Sequence, residues 1–260
     1  MECRRILAPN PGPYTGPGTN TYLIHDGEQV AILDPGPIID SHFAEIEQSL
    51  GELVPVAVIV SHNHPDHAPL ANPLAQRLGV PSYGFAPGPD FSPDLMIIDG
   101  SAIAVGGGEL IAVHTPGHTW DHLCFLVGSE LYTGDHIMQG STVIIEDAAA
   151  YLDSLDRVAT LGAQRLRPGH GDTIEDAAAA IAEYIEHRRE RERQIVAAVA
   201  AGAHTPAEIT EAVYVGIPPE LAPAAAAQVR VQLEKLISEY RLILDTPSAT
   251  EMSVVVPEER

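Results

Sequence analysis

Six consecutive residues, His62-Asn63-His64-Pro65-Asp66-His67, constrain this chain more than any other stretch. They follow directly on Val56–Val60, a continuous valine-rich apolar run that ends at Ser61. Such a run reads as a strand buried on both faces. The fold must therefore carry three imidazoles and a carboxylate on a loop just past a strand end, where alternate side chains can point into one pocket. Imidazole nitrogen and carboxylate oxygen are good ligands for zinc and also suit iron and manganese. The alternative is a polar loop that is merely rich in histidine. Desolvating several imidazoles without a partner is costly, which favours the metal reading.

Three further residues stand in similar settings. His118 lies in Thr115-Pro116-Gly117-His118-Thr119, where a strand and a Pro-Gly turn aim it back over the sheet edge; alone it is equally well read as structural. Asp135 follows a strand in Thr133-Gly134-Asp135, and a single carboxylate can bridge two metals. His170 lies in Pro168-Gly169-His170-Gly171, again just past a short strand. Chemistry on loops beyond strand ends is what a rigid sheet positions best.

The rest of the chain supplies the scaffold. Tyr22–Ile24 and Val30–Asp34 flank an Asp-Gly turn and read as a hairpin. Asp40-Ser41 reads as the N-cap region of a helix stopped by Gly51, and Pro69–Leu78 as a helix closed by Gly79. Leu110–His114, Leu123–Val127, Glu130–Thr133 and Arg165–Arg167 read as strands, with a helix over Ala148–Leu161. Mixed β and α order predicts helices packed outside sheets, an α+β class. The character changes near residue 175. Glu175–Ala201 is a long helical stretch, Thr205-Pro206-Ala207-Glu208 is a capping box with proline at the first helical position, and Leu221–Tyr240 is a third helix. A hairpin of Arg241–Asp245 and Ser253–Val256 around Thr246–Thr250 completes a winged-helix-like pattern. The domains read as 1–175, catalytic, and 176–260, C-terminal.

In chain order the polar set is His-X-His-X-Asp-His, then His, Asp, His, and the chain resembles the metallo-β-lactamase superfamily over roughly residues 10 to 172. The resemblance implies an αββα sandwich. It implies two divalent metal ions, zinc first, with His62, His64 and His118 on one, Asp66, His67 and His170 on the other, and Asp135 bridging. Asn10-Pro11-Gly12-Pro13, Gly18-Thr19-Asn20-Thr21-Tyr22, Gly140-Ser141-Thr142 and His187-Arg188-Arg189-Glu190-Arg191-Glu192 resemble the beta-lactamase-like protein 2 branch. That branch carries a winged-helix-like C-terminal domain. It includes a single-strand-specific endoribonuclease and, more distantly, acyl-carrier thioesterases.

A water shared by two such metals would be activated as hydroxide near neutral pH, with Asp66 accepting or relaying a proton. This chemistry serves esters, thioesters, lactones and lactams, and phosphodiesters alike. Charge weighs between them. The net charge is −22, with −17 in residues 1–180 and −5 in 181–260, and Lys235 is the only lysine. Nucleic-acid binders usually show a basic footprint. A small-molecule substrate is therefore the first expectation and RNA the alternative, with Arg167 and the Arg188, Arg189, Arg191, Arg193 cluster the candidate phosphate contacts. The bland reading of that cluster is a solvated helix face paired with Glu190 and Glu192. A metal-binding pseudo-enzyme would normally have lost a ligand type, and none is missing. No apolar run reaches membrane-spanning length, Met1-Glu2-Cys3-Arg4-Arg5 leads into no signal-like segment, and Cys3 and Cys124 make no disulfide framework. A cytoplasmic protein is expected, with a homodimer left open. Asn20 and Tyr14 are candidate pocket residues, Trp120 a candidate neighbour that shapes the site, and His122 and His136 candidates to orient a ligand.

Overall fold

The computed structural model describes residues 1–140, 142–245 and 252–257, and all but the side chain of Glu220 within them. Two sheets meet face to face. The first has six strands in spatial order β1-β2-β3-β4-β5-β6, namely Glu2–Leu7, Asn20–Asp26, Gln29–Leu33, Val54–Ile59, Ser82–Gly84 and Leu95–Met96. The second has five in order β11-β10-β9-β8-β7, with β7 Ala102–Val105, β8 Gly108–His114, β9 Leu123–Val127, β10 Glu130–Gly134 and β11 Arg165–Pro168.

Side-chain alternation along each strand divides the core into layers. Tyr22, Ile24, Leu33 and Ile59 face Leu110, Ala112, Leu123 and Phe125 between the sheets. Leu23, Ile32 and Val58 point the other way, onto α1 (Asp40–Leu50) and α2 (Ala71–Leu78). Val113, Cys124 and Leu131 pack onto α3 (Ala148–Ala159) and the first half of α4 (Ala177–Ala200). The result is a helix–sheet–sheet–helix sandwich, the αββα class the resemblance implies. Asp40 occupies the first turn of α1, with Ile39 at the cap and no side-chain cap bond, which corrects its reading as a cap. Gly51 (φ 55°) does end that helix.

The second half of α4 leaves the sandwich. Its Ile195 and Val199 join Ile209, Val229, Leu233 and Leu236 in a separate small core. This core is built with α5 (Pro206–Val213), α6 (Ala222–Ser238) and the hairpin of β12 (Ile243–Leu244) and β13 (Val254–Val255). The expected capping box is present, Thr205 and Glu208 bonding reciprocally. The intervening Thr246–Thr250, like Ser141, lies outside the described residues. No helix among the described residues is long and apolar enough to cross a membrane.

Candidate metal centre

Strand ends from both sheets converge on one edge of the sandwich. β4 delivers Ser61–His67, β8 leads to the Pro116-Gly117-His118 turn, β10 ends at Asp135 and β11 at His170. Two clusters result, His62 with His64, His118 and Asp135, and Asp66 with His67 and His170. All seven residues singled out from the sequence are thereby brought together. In the first cluster His64 Nδ1 stands 3.0 Å from both His62 Nε2 and His118 Nε2. In the second, His67 Nε2 lies 3.3 Å from His170 Nε2, and Asp66 Oδ2 lies 3.1 Å from His170 Nε2. Asp135 sits between them. Its Oδ2 is 3.7 Å from His118 Nε2, and its Oδ1 is 3.4 Å from each of His67 and His170.

What turns these rings is a ring of hydrogen bonds behind them. His118 Nδ1 donates to the Ile144 carbonyl at 2.6 Å and His170 Nδ1 to the Gly18 carbonyl at 3.0 Å. His67 Nδ1 donates to Asp34 Oδ2 at 3.0 Å. The Ser61 hydroxyl donates to that same oxygen at 2.8 Å and so accepts from His62 Nδ1 at 2.9 Å. Each of these four rings thus gives Nδ1 to its backing partner and leaves Nε2 as the nitrogen turned inward. This arrangement is how proteins fix metal-ligating histidines.

The electrostatics are those of a site built for a cation. Burial pushes the His67 pKa down, but the Asp66, Asp135 and Asp34 carboxylates outweigh it and hold the pKa well above the usual value. Burial opposes ionisation of Asp135, yet His67 and His170 keep its pKa well below the carboxylate range. Asp66 is held at about 2 despite its burial, chiefly by His67, and His170 rises to about 9 against its own burial through Asp135 and Asp66. Among the described residues the buried Oδ1 of Asp135 finds no hydrogen-bond donor. Tetrahedral zinc with Zn–N bonds of about 2.0–2.1 Å separates its nitrogens by about 3.3 Å, close to the spacings in both clusters. The donor set fits divalent metal.

Several supporting residues carry little signal in the sequence. Asp34, buried and with φ 50°, accepts from the Ser61 amide as well as from Ser61 Oγ and His67. A polar residue closing an apolar strand before Pro35-Gly36 was the available clue. Asp121 accepts from the Asn63 amide and side chain and braces the histidine loop. His122 accepts from the Asp135 amide through Nε2 and donates from Nδ1 to Thr115, so it orients the Asp135 segment. Gly169 leaves no space for a side chain. A Cβ there would lie 2.6 Å from Asp135 Oδ1 and 2.7 Å from His67 Cε1.

Other candidates fall elsewhere. Asn20 does not line the cavity; it is buried, and its amide donates to the Pro168 and Gly171 carbonyls, tying β2 to the His170 loop. Tyr14 is exposed and lines the cavity over the metal centre. Trp120 is 60 % exposed, packs on Phe85 and lies outside that cavity. His136 is buried against the Tyr151 ring, and burial lowers its pKa to about 3. Arg188 corrects the solvated-face reading: it is buried, with its guanidinium over Tyr151 at 4.8 Å. Glu192 is buried as well and pairs with Lys235 and Arg241.

Comparison with known proteins agrees with this geometry. The profile of the metallo-beta-lactamase superfamily matches residues 14–88, and that of the beta-lactamase associated winged helix domain matches residues 205–242. The chain is 32% identical over 247 residues to a beta-lactamase-like protein 2 homolog of Caenorhabditis elegans, covering 90% of this chain and 84% of the relative. It is 33% identical over 235 residues to an atrochrysone carboxyl ACP thioesterase of Aspergillus chevalieri, covering 85% and 76%. A metallo-beta-lactamase family protein from Thermus thermophilus superposes with a TM-score of 0.79 at 21% identity, each chain covered to 98%. The chain belongs to the metallo-beta-lactamase superfamily, and within it to the beta-lactamase-like protein 2 branch. It is a hydrolase of that superfamily, with a winged helix domain at its C-terminal end.

Proposed function

We propose that the chain is a dinuclear metal-dependent hydrolase of a small-molecule ester, thioester, lactone or lactam, with thioesters foremost. One observation carries the reading: the backing hydrogen bonds aim the free nitrogens of His62, His67, His118 and His170 into two adjoining clusters with Asp135 between them. His62, His64 and His118 are the proposed ligands of one ion, Asp66, His67 and His170 of the other, and Asp135 of both. Zinc is the proposed metal, since iron and manganese share the donors but zinc suits the imidazole-rich set best. When bound, such ions make a hydroxide nucleophile available at neutral pH and stabilise developing negative charge.

The protein's own groups do the rest. Asp66, ionised at neutral pH and only half-buried, would accept at its carboxylate the proton given up by the attacking water and hand it to the departing thiolate or alkoxide. Pro13, Tyr14, Met138 and Ile144 wall a cavity of about 350 Å³ above the centre and hold an apolar acyl group against it. That volume suits a small ligand. Among the described residues lining the cavity there is no lysine or arginine. An RNA backbone needs such cations, and none of the five candidates lines the cavity: Arg167 pairs with Glu130, Arg188 lies in the core, Arg189 pairs with Asp156, Arg191 rests on Tyr214 and Arg193 pairs with Glu186 and Glu190. The thioesterase among the relatives supports a thioester carbonyl as the point of attack. Residues 1–175 are proposed as the catalytic unit and 176–260 as its C-terminal partner.

A hydrolysis panel of a thioester, a lactone, a chromogenic β-lactam and single-stranded RNA, run with wild type and Asp66→Ala, tests this. Turnover of a small acyl substrate that falls at least about 10²-fold in the variant is the expected outcome. Asp66-dependent RNA cleavage with every small substrate inert would overturn the substrate class.

A further inference from the structure

Residues 143–146 run beside the metal centre without regular secondary structure, so their backbone groups must find partners outside any ladder. Val143 and Ile145 are buried in the core shared with α3 and α4, while Ile144 faces the cavity. The Ile144 carbonyl takes the Nδ1 proton of His118. The groups on either side of it are held by α4 and α6. Arg188 of α4 donates to the Val143 carbonyl at 2.5 Å, its guanidinium resting on the Tyr151 ring. Gln228 of α6 is bidentate on Ile145, accepting from the amide at 3.2 Å and donating to the carbonyl at 3.0 Å. The sandwich contributes the next bond, from the Glu146 amide to the Gly117 carbonyl at 2.7 Å.

We infer that Arg188 and Gln228 are positioning residues through which α4 and α6 set the orientation of His118 and the cavity wall at Ile144. The inference rests on the proposed role of His118 as a metal ligand. Its physical basis is leverage: the Ile144 carbonyl that fixes the His118 ring shares its rigid peptide group with the Ile145 amide held by Gln228, and the clamped Val143 and Ile145 carbonyls are one peptide away on either side. A ligand's backing partner is worth about 10–100-fold in metal affinity, and a clamp one bond further out is worth about tenfold.

The test compares wild type, Gln228→Leu, Arg188→Lys and Val229→Ala as full chains. Chelator competition on zinc-loaded protein reads metal affinity, and amide hydrogen exchange reads residues 143–147. Val229 is buried in the small core and touches none of the clamp bonds given above, so Val229→Ala reports loss of stability alone. Gln228→Leu is expected to raise exchange at 145–146 at least tenfold and to loosen one of two metals about tenfold while sparing the other. Arg188→Lys, which keeps a donor, is expected to stay within about threefold of wild type. Exchange that does not change in Gln228→Leu overturns the clamp. Faster exchange with unaltered metal affinity, or equal loss in Val229→Ala, overturns its action on His118. Wild type that takes up no metal would instead sink the metal reading itself, and this inference with it.

Discussion

Asp34 illustrates how much of the centre depends on residues that never face the substrate. It gathers the Ser61 amide, the Ser61 hydroxyl and the His67 ring onto one buried carboxylate, and the Ser61 hydroxyl in turn fixes His62. One residue therefore backs a proposed ligand of each metal. Asp34→Ala is expected to weaken both metals by about 10–100-fold each, measured by chelator competition. Gly169→Ala acts from the opposite side. The added methyl enters the space between Asp135 and His67, and metal analysis of the purified variant should find at least one ion missing. The seven proposed ligands could be picked out in the sequence because each sits in a short motif just past a strand and the motifs follow one another in a recognisable order. Asp34 and Asp121 could not, because each acts across distances in sequence that no local pattern encodes, whereas His122, four residues after His118, was picked out as an orienting residue and holds the Asp135 amide. Arg188 was misread for a related reason: its charge suggested solvent, while its neighbours on α3 and the 143–146 segment bury it.

At the scale of elements, the metal centre depends on how β10 and β11 are held parallel, since they end at Asp135 and near His170. Glu130 on β10 pairs with both Arg165 and Arg167 of β11. The Arg167 hydrogen bond, against some burial, lowers the Glu130 pKa below its usual value. A depressed carboxylate pKa stabilises the fold above the unfolded value, about 4.3, and that contribution fades as pH falls through the lower folded value. Glu130→Gln should therefore cost about 1 kcal/mol at pH 7. In denaturant melts the gap from wild type should narrow steadily below pH 4; a constant gap would contradict the pairing. The longer strands and helices could be read from the sequence, since apolar periodicity marks them. β1 could not, being an edge strand with Glu2, Arg4 and Arg5 exposed. Nor could β5, β6 and β7, which have four residues or fewer. Their pairing comes from the sheet they complete rather than from their own composition.

Taken whole, the molecule is a sandwich with a winged helix domain fastened to it by α4, which runs through both cores, and by α6, whose Gln228 holds Ile145. α4 contributes Ala177 and Ile181 to the sandwich core and Ile195 and Val199 to the small core. The buried Glu192 with Lys235 and Arg241 locks α4 to α6 and to the start of the wing. The net charge of −22 includes the carboxylates of Asp66 and Asp135 at the centre, whose negative charge a metal would offset while the imidazoles supply neutral donors, so metal binding should couple to the stability of the whole chain. The most direct test of that account is the metal content of protein purified without chelator and then reconstituted, measured by mass spectrometry at neutral and acid pH. The account predicts about two ions per chain at neutral pH, released as acid protonates the histidines. Less than one ion per chain after reconstitution would contradict it.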